Sequence, residues 1–520
     1  MHSDIPSYLK LGKAPDLSHP RDRALYRFFE TIPGVLLWGT ILFLVFFSWY
    51  APVWTSVLVI AFDVYWLLKT LFFSVHLNAS FKKMNEHMAV SWMEKLKTLS
   101  LKDSSLGVSS WEELYHLIIL PTFKEPEKVL DESLEKILHS SFPAERMMLV
   151  LAVEENGGEE DREVARRMEE KYGKKFFRFF TAVHPKGVPG ELSGKGSNET
   201  WAARRVKEEI IDPLHIPYER IIVSSLDSDT QVYPEYFSIV AYHYLTVSDP
   251  LHSAFQPIPV YNNNIWSVRM LSRIVAYSGT FWQMMQQARP ERLTSFSSHS
   301  MPWKSLVEMD FWHVNIVSED SRIFWQSLLF YNGQWKTVPL YYPVSMDANV
   351  GRTSMETAKN VYKQQRRWGW GVENVPYLLF GFVKNKKITI RKKLYFTFNQ
   401  LEGFWSWGTN SLILFLFGWL PIIFGGDIFN TSVLSYNLPR VTRVLMTLAM
   451  LGVVSSSIIS LKLLPPLPKT HTVRSYLWIV LQWFLLPITI IIFGSFPGIE
   501  AQTRLMLGRY MGFWRTPKNR

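Results

Sequence analysis

Apolar residues gather in two distant parts of this chain, and a more mixed pattern lies between them. Gly34 to Tyr50 and Val53 to Val75 are two apolar runs split by Ala51-Pro52. Three more follow near the other end, from Asn399 to Phe424, Val441 to Leu464 and Tyr476 to Phe496. Each approaches the ~20 residues a helix needs to cross a hydrocarbon core of ~30 Å, so the chain reads as a helical hairpin, a polar middle and about three further spans. From about Glu113 the period shortens. YHLIILPT, RMMLVLAV, FFRFFTAV and RIIVSSLD are β-rich runs, and EPEKVLDESLEKILHS, EEDREVARRMEEKYG and KGSNETWAARRVKEEI between them carry helical period. Strand, helix and return strand within roughly thirty residues make a βαβ unit, and a series of them builds a mostly parallel sheet with its ligand at the carboxyl ends of the strands.

Composition supports a membrane class: 48% of residues are hydrophobic and 15% aromatic. With no cysteine, a disulfide framework, a thiolate metal site and a cysteine nucleophile are all excluded, which leaves oxygen or histidine ligands for any metal. The net charge of +11 lies largely beside the apolar runs, as in GFVKNKKITIRKK, so membrane lipid is the expected partner and nucleic acid is not. Lys82, Lys83 and the cluster from Lys384 to Lys393 put the middle block on the cytosolic side of the cell or inner membrane. Five spans would then leave the basic tail AQTRLMLGRYMGFWRTPKNR outside, against the same rule; either one run is misread or re-entrant, or the tail breaks the rule. Asp63 stands within the second run, and its partner is left open. The expected organisation is a cytosolic segment (1–33), a transmembrane hairpin (34–80), a catalytic domain (81–353), amphipathic interface helices (354–393), C-terminal spans (394–497) and a basic tail (498–520).

Candidate chemistry clusters after the predicted strands. Asp227-Ser228-Asp229 ends the fourth, and two carboxylates one residue apart can hold a hard divalent cation against a diphosphate; a solvated turn is the plainer reading of the same residues. Glu319-Asp320 follows Ser318 at a helix start. These acids either complement the helix dipole or supply the general base that a sugar hydroxyl needs before it attacks an anomeric carbon. In QQRRWGWG, Gln364 and Arg367 share a helix face with Trp368 beside them. Arg offers a fork for diphosphate oxygens and Trp a face for a sugar ring, while a basic helix lying on the membrane uses the same residues.

Taken in order, D-x-D, E-D and Q-x-x-R-W with membrane helices on both sides, the chain resembles the inverting family 2 glycosyltransferases, in particular their cellulose synthase-like membrane branch. The resemblance runs from near His116 through the C-terminal spans. It implies a GT-A type domain, an α/β fold with a mostly parallel sheet and flanking helices, inserted between transmembrane segments. It implies that LPTFKEP, with Thr122 and Glu125, closes over the nucleoside of a UDP- or GDP-sugar. Glu154-Glu155-Asn156-Gly157 stands where the family has Asp-Asp-Gly-Ser, which makes Glu154 a donor contact, and Lys195 and Asn198 match the region near the donor sugar and diphosphate. By the same resemblance Asp227 and Asp229 hold the nucleotide and a Mg²⁺ or Mn²⁺, Asp320 is the base with Glu319 beside it, and Gln364, Arg367 and Trp368 shape the acceptor entrance.

The function expected is therefore transfer of a sugar from a nucleoside-diphosphate donor to a glycan acceptor, with processive polysaccharide synthesis at the cytosolic face. Competing readings are a single-linkage transferase acting on a lipid or lipid-phosphate, and a non-catalytic membrane regulator that binds nucleotide. A separate export or regulatory protein partner fits any of them.

Overall fold

The computed structural model describes residues 5–101, 106–469, 472 and 474–517. The four apolar runs form β1 (Tyr115–Thr122), β2 (Met147–Glu154), β3 (Arg178–His184) and β4 (Ile221–Ser225). β1 lies parallel between β2 and β4, and β3 adds parallel to β2. Alternate residues of β1 and β2 enter different cores: Ile118, Leu120, Leu149 and Leu151 one, Leu117, Ile119, Met148 and Val150 the other. A strand buried on both faces has no polar side to alternate with, which is why these segments are continuous apolar runs.

The sheet extends through a half that the sequence pattern does not announce. β5 (Gln231–Val232), β6 (Ser253–Val260), β7 (His299–Pro302) and β8 (Lys336–Ser345) complete the order β3-β2-β1-β4-β7-β6-β8-β5. β7 is antiparallel to β4 and β6, and β5 to β8, whereas β6 and β8 are parallel. Pro257 and Pro259 in β6 and Pro339 and Pro343 in β8 remove ladder donors, and the β6–β8 register shifts between Gln256 and Ile258. A mostly parallel α/β domain set among membrane-competent helices is thus the observed architecture.

Pro20–Tyr50 and Pro52–Met88 form the hairpin, with Ala51 outside the helical region and Pro52 pre-set for the first turn. Val433–Lys462 runs beside the second helix in the same direction: Thr442 Oγ1 donates to Asp63 Oδ2 at 2.7 Å and Asn78 Nδ2 to Ser455 Oγ at 2.8 Å. Asp63 thus pairs with a neighbouring helix. The helix expected from Asn399 begins at Ile390, and Ile390–Phe415 meets Phe417–Phe424 at a 48° bend. Among the described residues four helices are long and apolar enough to cross a membrane, or five with the bent pair as one span.

One of the four, Arg474–Met506, is broken by a 3-10 turn at Gln482–Leu485 and a π turn at Ile491–Ser495. It meets the α/β domain at its start and middle and the helix Ser354–Gly369 at its end. Tyr476 packs edge-on to Trp266 at 5.7 Å, Trp483 stacks on Phe281 at 5.7 Å, and Arg366 Nη1 donates to Glu500 Oε1 at 2.7 Å. Beyond it, Tyr510 donates to Glu30 at 2.9 Å. This apolar segment therefore begins against the α/β domain and ends against the helix Ser354–Gly369 that follows the domain, while the tail contacts the helix Pro20–Tyr50 at Tyr510 and the end of β2 at Arg515.

Candidate active site at the carboxyl ends of the central strands

Strand order departs from chain order at β1, with β2 and β3 on one side and β4 on the other. In such sheets the loops beyond the carboxyl ends at this point form the ligand crevice. Asp227 and Asp229 enter it directly after β4. Across from them the helix Lys195–Val206 points its first turn into the crevice, and the helix Glu319–Phe330 brings in the second acidic pair.

Lys195 joins these elements. Its Nζ, in a residue 9% exposed, donates to Asp227 Oδ1 at 2.7 Å and to Asp320 Oδ1 at 2.8 Å, with Glu199 Oε1 3.8 Å away. Asp227 also accepts from Ser297 Oγ at 2.6 Å. Gly196 permits the approach: a Cβ there would stand 2.5 Å from the His313 carbonyl oxygen and 3.0 Å from Glu319 Cβ.

The cluster holds more acid than its cation neutralises. Burial would lower Lys195, but Asp227, Asp320 and Glu199 override it and hold the ammonium well above its ordinary value. Burial pushes Glu199 up to about 8, with Lys195 opposing and Asp320 adding to the rise. Glu319 is raised well above the carboxylate range by burial and then by the charge of Asp320. Glu199 Oε2 and Glu319 Oε2 are buried with no hydrogen-bond partner.

Asp229 is fully buried and its Oδ2 accepts from the Asp347 amide at 3.0 Å. Asn263 Nδ2 ties the two together, donating to the Asp229 carbonyl at 2.8 Å and to Asp347 Oδ1 at 3.0 Å. Asp347 in turn lines a cavity of about 10 Å³, room for one water, with Tyr261, Asn349, Gln364 and Trp368. Both polar atoms of the Asn349 amide are buried without a partner. Gln364 and Trp368 thus adjoin the Asp229 loop. Arg367 instead lies 5.1 Å from the centre of the Phe513 ring, and it is Arg366 that pairs with Glu500.

The remaining candidates stand toward β1 and β2. Thr122 closes β1 opposite Val153, and Glu125 follows in the turn that leads to the helix Glu127–Leu138. Asn198 Nδ2 donates to the Ala152 carbonyl at 2.6 Å and pins its helix to β2. Glu154 ends β2, buried, where its Oε2 accepts from Ser193 Oγ at 3.0 Å and from Arg515.

Sequence reasoning passed over Glu199, Ser297, Asp347 and Arg515. Glu199 had a signal, since it is one helical turn from Lys195. The others reach the site from far along the chain.

Asp227 and Asp229 offer the hard oxygen donors that suit Mg²⁺ or Mn²⁺, with a diphosphate able to supply others. Among the described residues no group of three or more His, Cys, Asp or Glu side chains could hold a metal alone.

No protein family matches the sequence, and no curated protein matches it. Solved structures with partial likeness include a mannosyltransferase from Pyrobaculum calidifontis in complex with GDP-Man and Mn²⁺, at 12% identity and TM-score 0.41, covering 75% of this chain and 99% of that one. S. aureus TarS 1-349 matches at 13% identity and TM-score 0.34, covering 66% of this chain and 90% of that one. GalNAc-T7 with UDP, GalNAc and Mn²⁺ matches at 8% identity and TM-score 0.33, covering 56% and 57%.

Proposed function

We propose that this protein is a membrane-bound inverting glycosyltransferase with a GT-A type domain, moving a sugar from a nucleoside-diphosphate donor to a glycan acceptor at the cytosolic face. The observation that carries the reading is Lys195: one buried ammonium reaches both Asp227, of the D-x-D turn, and Asp320, of the E-D pair, at 2.7 and 2.8 Å. Two acidic motifs that are weak singly become one centre. A carboxylate beside a phosphate-binding turn is what a direct displacement needs.

Asp320 takes the proton of the acceptor hydroxyl as that oxygen attacks the anomeric carbon, the bond to the diphosphate breaks on the opposite side, and configuration inverts. Lys195 serves both ends: it moves from Asp320 toward the departing diphosphate, which frees the base as negative charge builds on the leaving group. Asp227 and Asp229 would hold a Mg²⁺ or Mn²⁺, which when bound neutralises the leaving diphosphate. The acceptor enters past Trp368 and Tyr261.

The domain division proposed is the one read from the sequence, with one refinement. Because Arg474–Met506 starts against the α/β domain and ends against the interface helix Ser354–Gly369, and the tail beyond it reaches Glu154, that segment is re-entrant and the basic tail shares the cytosolic side with the domain. The test is release of nucleoside diphosphate by detergent-purified protein across a panel of nucleotide sugars with Mg²⁺ or Mn²⁺. One donor is expected to turn over, and long product would establish polymerisation. Silence toward every donor, with glycan and lipid acceptors supplied and nucleotide still bound, would overturn the enzyme reading in favour of a regulator.

A further inference from the structure

Six of the residues from Lys384 to Lys393 are Lys or Arg, and no Asp or Glu occurs between Glu373 and Glu402. The protein satisfies three of these cations and leaves three. Lys384 Nζ pairs with both carboxylate oxygens of Asp22 at 2.8 Å, Lys392 Nζ donates to the Gly333 carbonyl at 2.8 Å, and Lys393 Nζ donates to the Phe382 and Asn385 carbonyls at 2.5 and 2.6 Å. Lys386, Lys387 and Arg391 are exposed, and among the described residues none of the three makes a side-chain hydrogen bond or an ion pair.

These three lie where a helix would enter a membrane. Arg391 is in the first turn of Ile390–Phe415, the longer limb of the bent pair, and Leu394, Tyr395 and Phe398 follow at the spacing that shares its helix face. Those three side chains are 63%, 37% and 68% exposed. A basic turn above an uncovered apolar stripe matches a lipid surface, with phosphate at the cations and acyl chain along the stripe. A free anion would meet the charge and leave the stripe in water. The same turn is tied to the helix that carries Asp320. Asn385 Nδ2 donates to the Leu329 carbonyl at 2.9 Å and to Asn332 Oδ1 at 3.0 Å, and a Cβ on Gly381 would stand 2.4 Å from Leu329 Cδ1. Leu329 is in the last turn of Glu319–Phe330, and Asn332 and Gly333 follow it with positive φ.

We propose that residues 386–391 form a binding site for anionic phospholipid, with Lys386, Lys387 and Arg391 on the headgroup phosphate, and that a bound lipid steadies the C-terminal end of the Asp320 helix. This rests on the membrane part of the reading above and is independent of the reaction. Neutralising like charges crowded into one turn removes the repulsion that loosens it, and the Asn385 and Lys392 contacts pass the gain to the helix end. Each cation near an anionic surface gives about a fivefold preference over zwitterionic lipid, so the three together give on the order of 100-fold.

The experiment places the full chain in nanodiscs of phosphatidylcholine alone or mixed with phosphatidylglycerol, and compares wild type with the triple variant Lys386→Gln, Lys387→Gln, Arg391→Gln. Lipid retained after transfer to detergent is counted by mass spectrometry, and amide exchange is followed along the helix Glu319–Phe330. Wild type is expected to retain phosphatidylglycerol at least ~10-fold over phosphatidylcholine, and the variant to lose most of that preference. Exchange in the last turn of the helix should slow about threefold or more with phosphatidylglycerol, in wild type only. Equal retention of the two lipids by wild type, or an undiminished preference in the variant, would overturn the site. Retention without slower exchange would overturn the steadying. The same slowing from inorganic phosphate added to phosphatidylcholine discs would overturn lipid as the ligand. Recovery of the chain in the soluble fraction without detergent would overturn the membrane reading, and this site with it.

Discussion

Two buried charge clusters flank the start of the helix Glu319–Phe330, and they are built on opposite principles. Arg322 is fully buried and every guanidinium nitrogen is used: Nε on Asn374 Oδ1 at 2.5 Å, Nη1 on the Leu11 carbonyl at 2.9 Å, and Nη2 on the Glu373 carbonyl at 3.2 Å. Its face lies 3.9 Å from the centre of the Tyr377 ring. The Glu373 carboxylate accepts from the Val317 and Ser318 amides, the Ser318 hydroxyl and the Trp370 indole. Lys195, on the other side, is shared by Asp227 and Asp320 with Glu199 waiting at 3.8 Å, and two buried carboxylate oxygens beside it have no partner. A satisfied network fixes the N-terminal segment, the acidic helix and the Trp370 turn to one another. An under-neutralised one has, on the proposed function, carboxylates able to take up a cation or a proton. Neighbouring residues on one helix thus divide structure from chemistry.

Breaking each cluster in turn should separate the two kinds of damage. Lys195→Met is expected to lower turnover by at least ~10²-fold, because base and leaving group lose their common cation. Its thermal midpoint should fall less than that of Arg322→Met, since Asp227 and Asp320 are 27% and 21% exposed and can be hydrated. Arg322→Met leaves the Asn374 side-chain oxygen and the Leu11 and Glu373 backbone carbonyls without their donor deep in the fold, and ~3–5 kcal/mol of stability should go with it. Its folded fraction should still bind nucleotide. Equal loss of stability in the two variants would erase the distinction.

Protons offer a finer cut. Burial raises Glu199 to about 8, so between the ordinary carboxylate range and pH 8 the folded state holds a proton that the unfolded chain has released. This group's contribution to stability is therefore complete at low pH and declines as pH rises through that window. A thermal-midpoint profile from pH 5 to 9 should slope down more steeply for wild type than for Glu199→Gln, and identical slopes would contradict the assignment. The smallest effect is expected from Ser297→Ala, which removes one charge-assisted hydrogen bond from Asp227. Donor KM should rise ~10-fold with kcat little changed.

How far the sequence could be read depended on how local the signal was. β1, β2 and β4 are legible because strands buried on both faces must be apolar throughout, and the edge strand β3 because its run is still largely apolar and aromatic. β6 and β8 carry prolines that argue against a strand, and only their neighbours in the sheet override that preference. The last apolar segment is as apolar as a span, yet only three-dimensional contacts show that it starts against the α/β domain and ends against the helix Ser354–Gly369. The acidic pairs stood out by their spacing at a strand end and a helix start, whereas Lys195 was legible only through the family resemblance. Arg515 was invisible as a partner of Glu154 because 361 residues separate them.

The central claim is that Asp320 is the base of a centre assembled on Lys195. It is tested most directly by Asp320→Asn, measured for nucleoside diphosphate release with the donor that wild type uses and, in parallel, for nucleotide binding. The account predicts turnover reduced ~10²- to 10⁴-fold with binding and thermal midpoint nearly unchanged. Turnover within a few-fold of wild type would contradict it and move the search for the base elsewhere in the crevice.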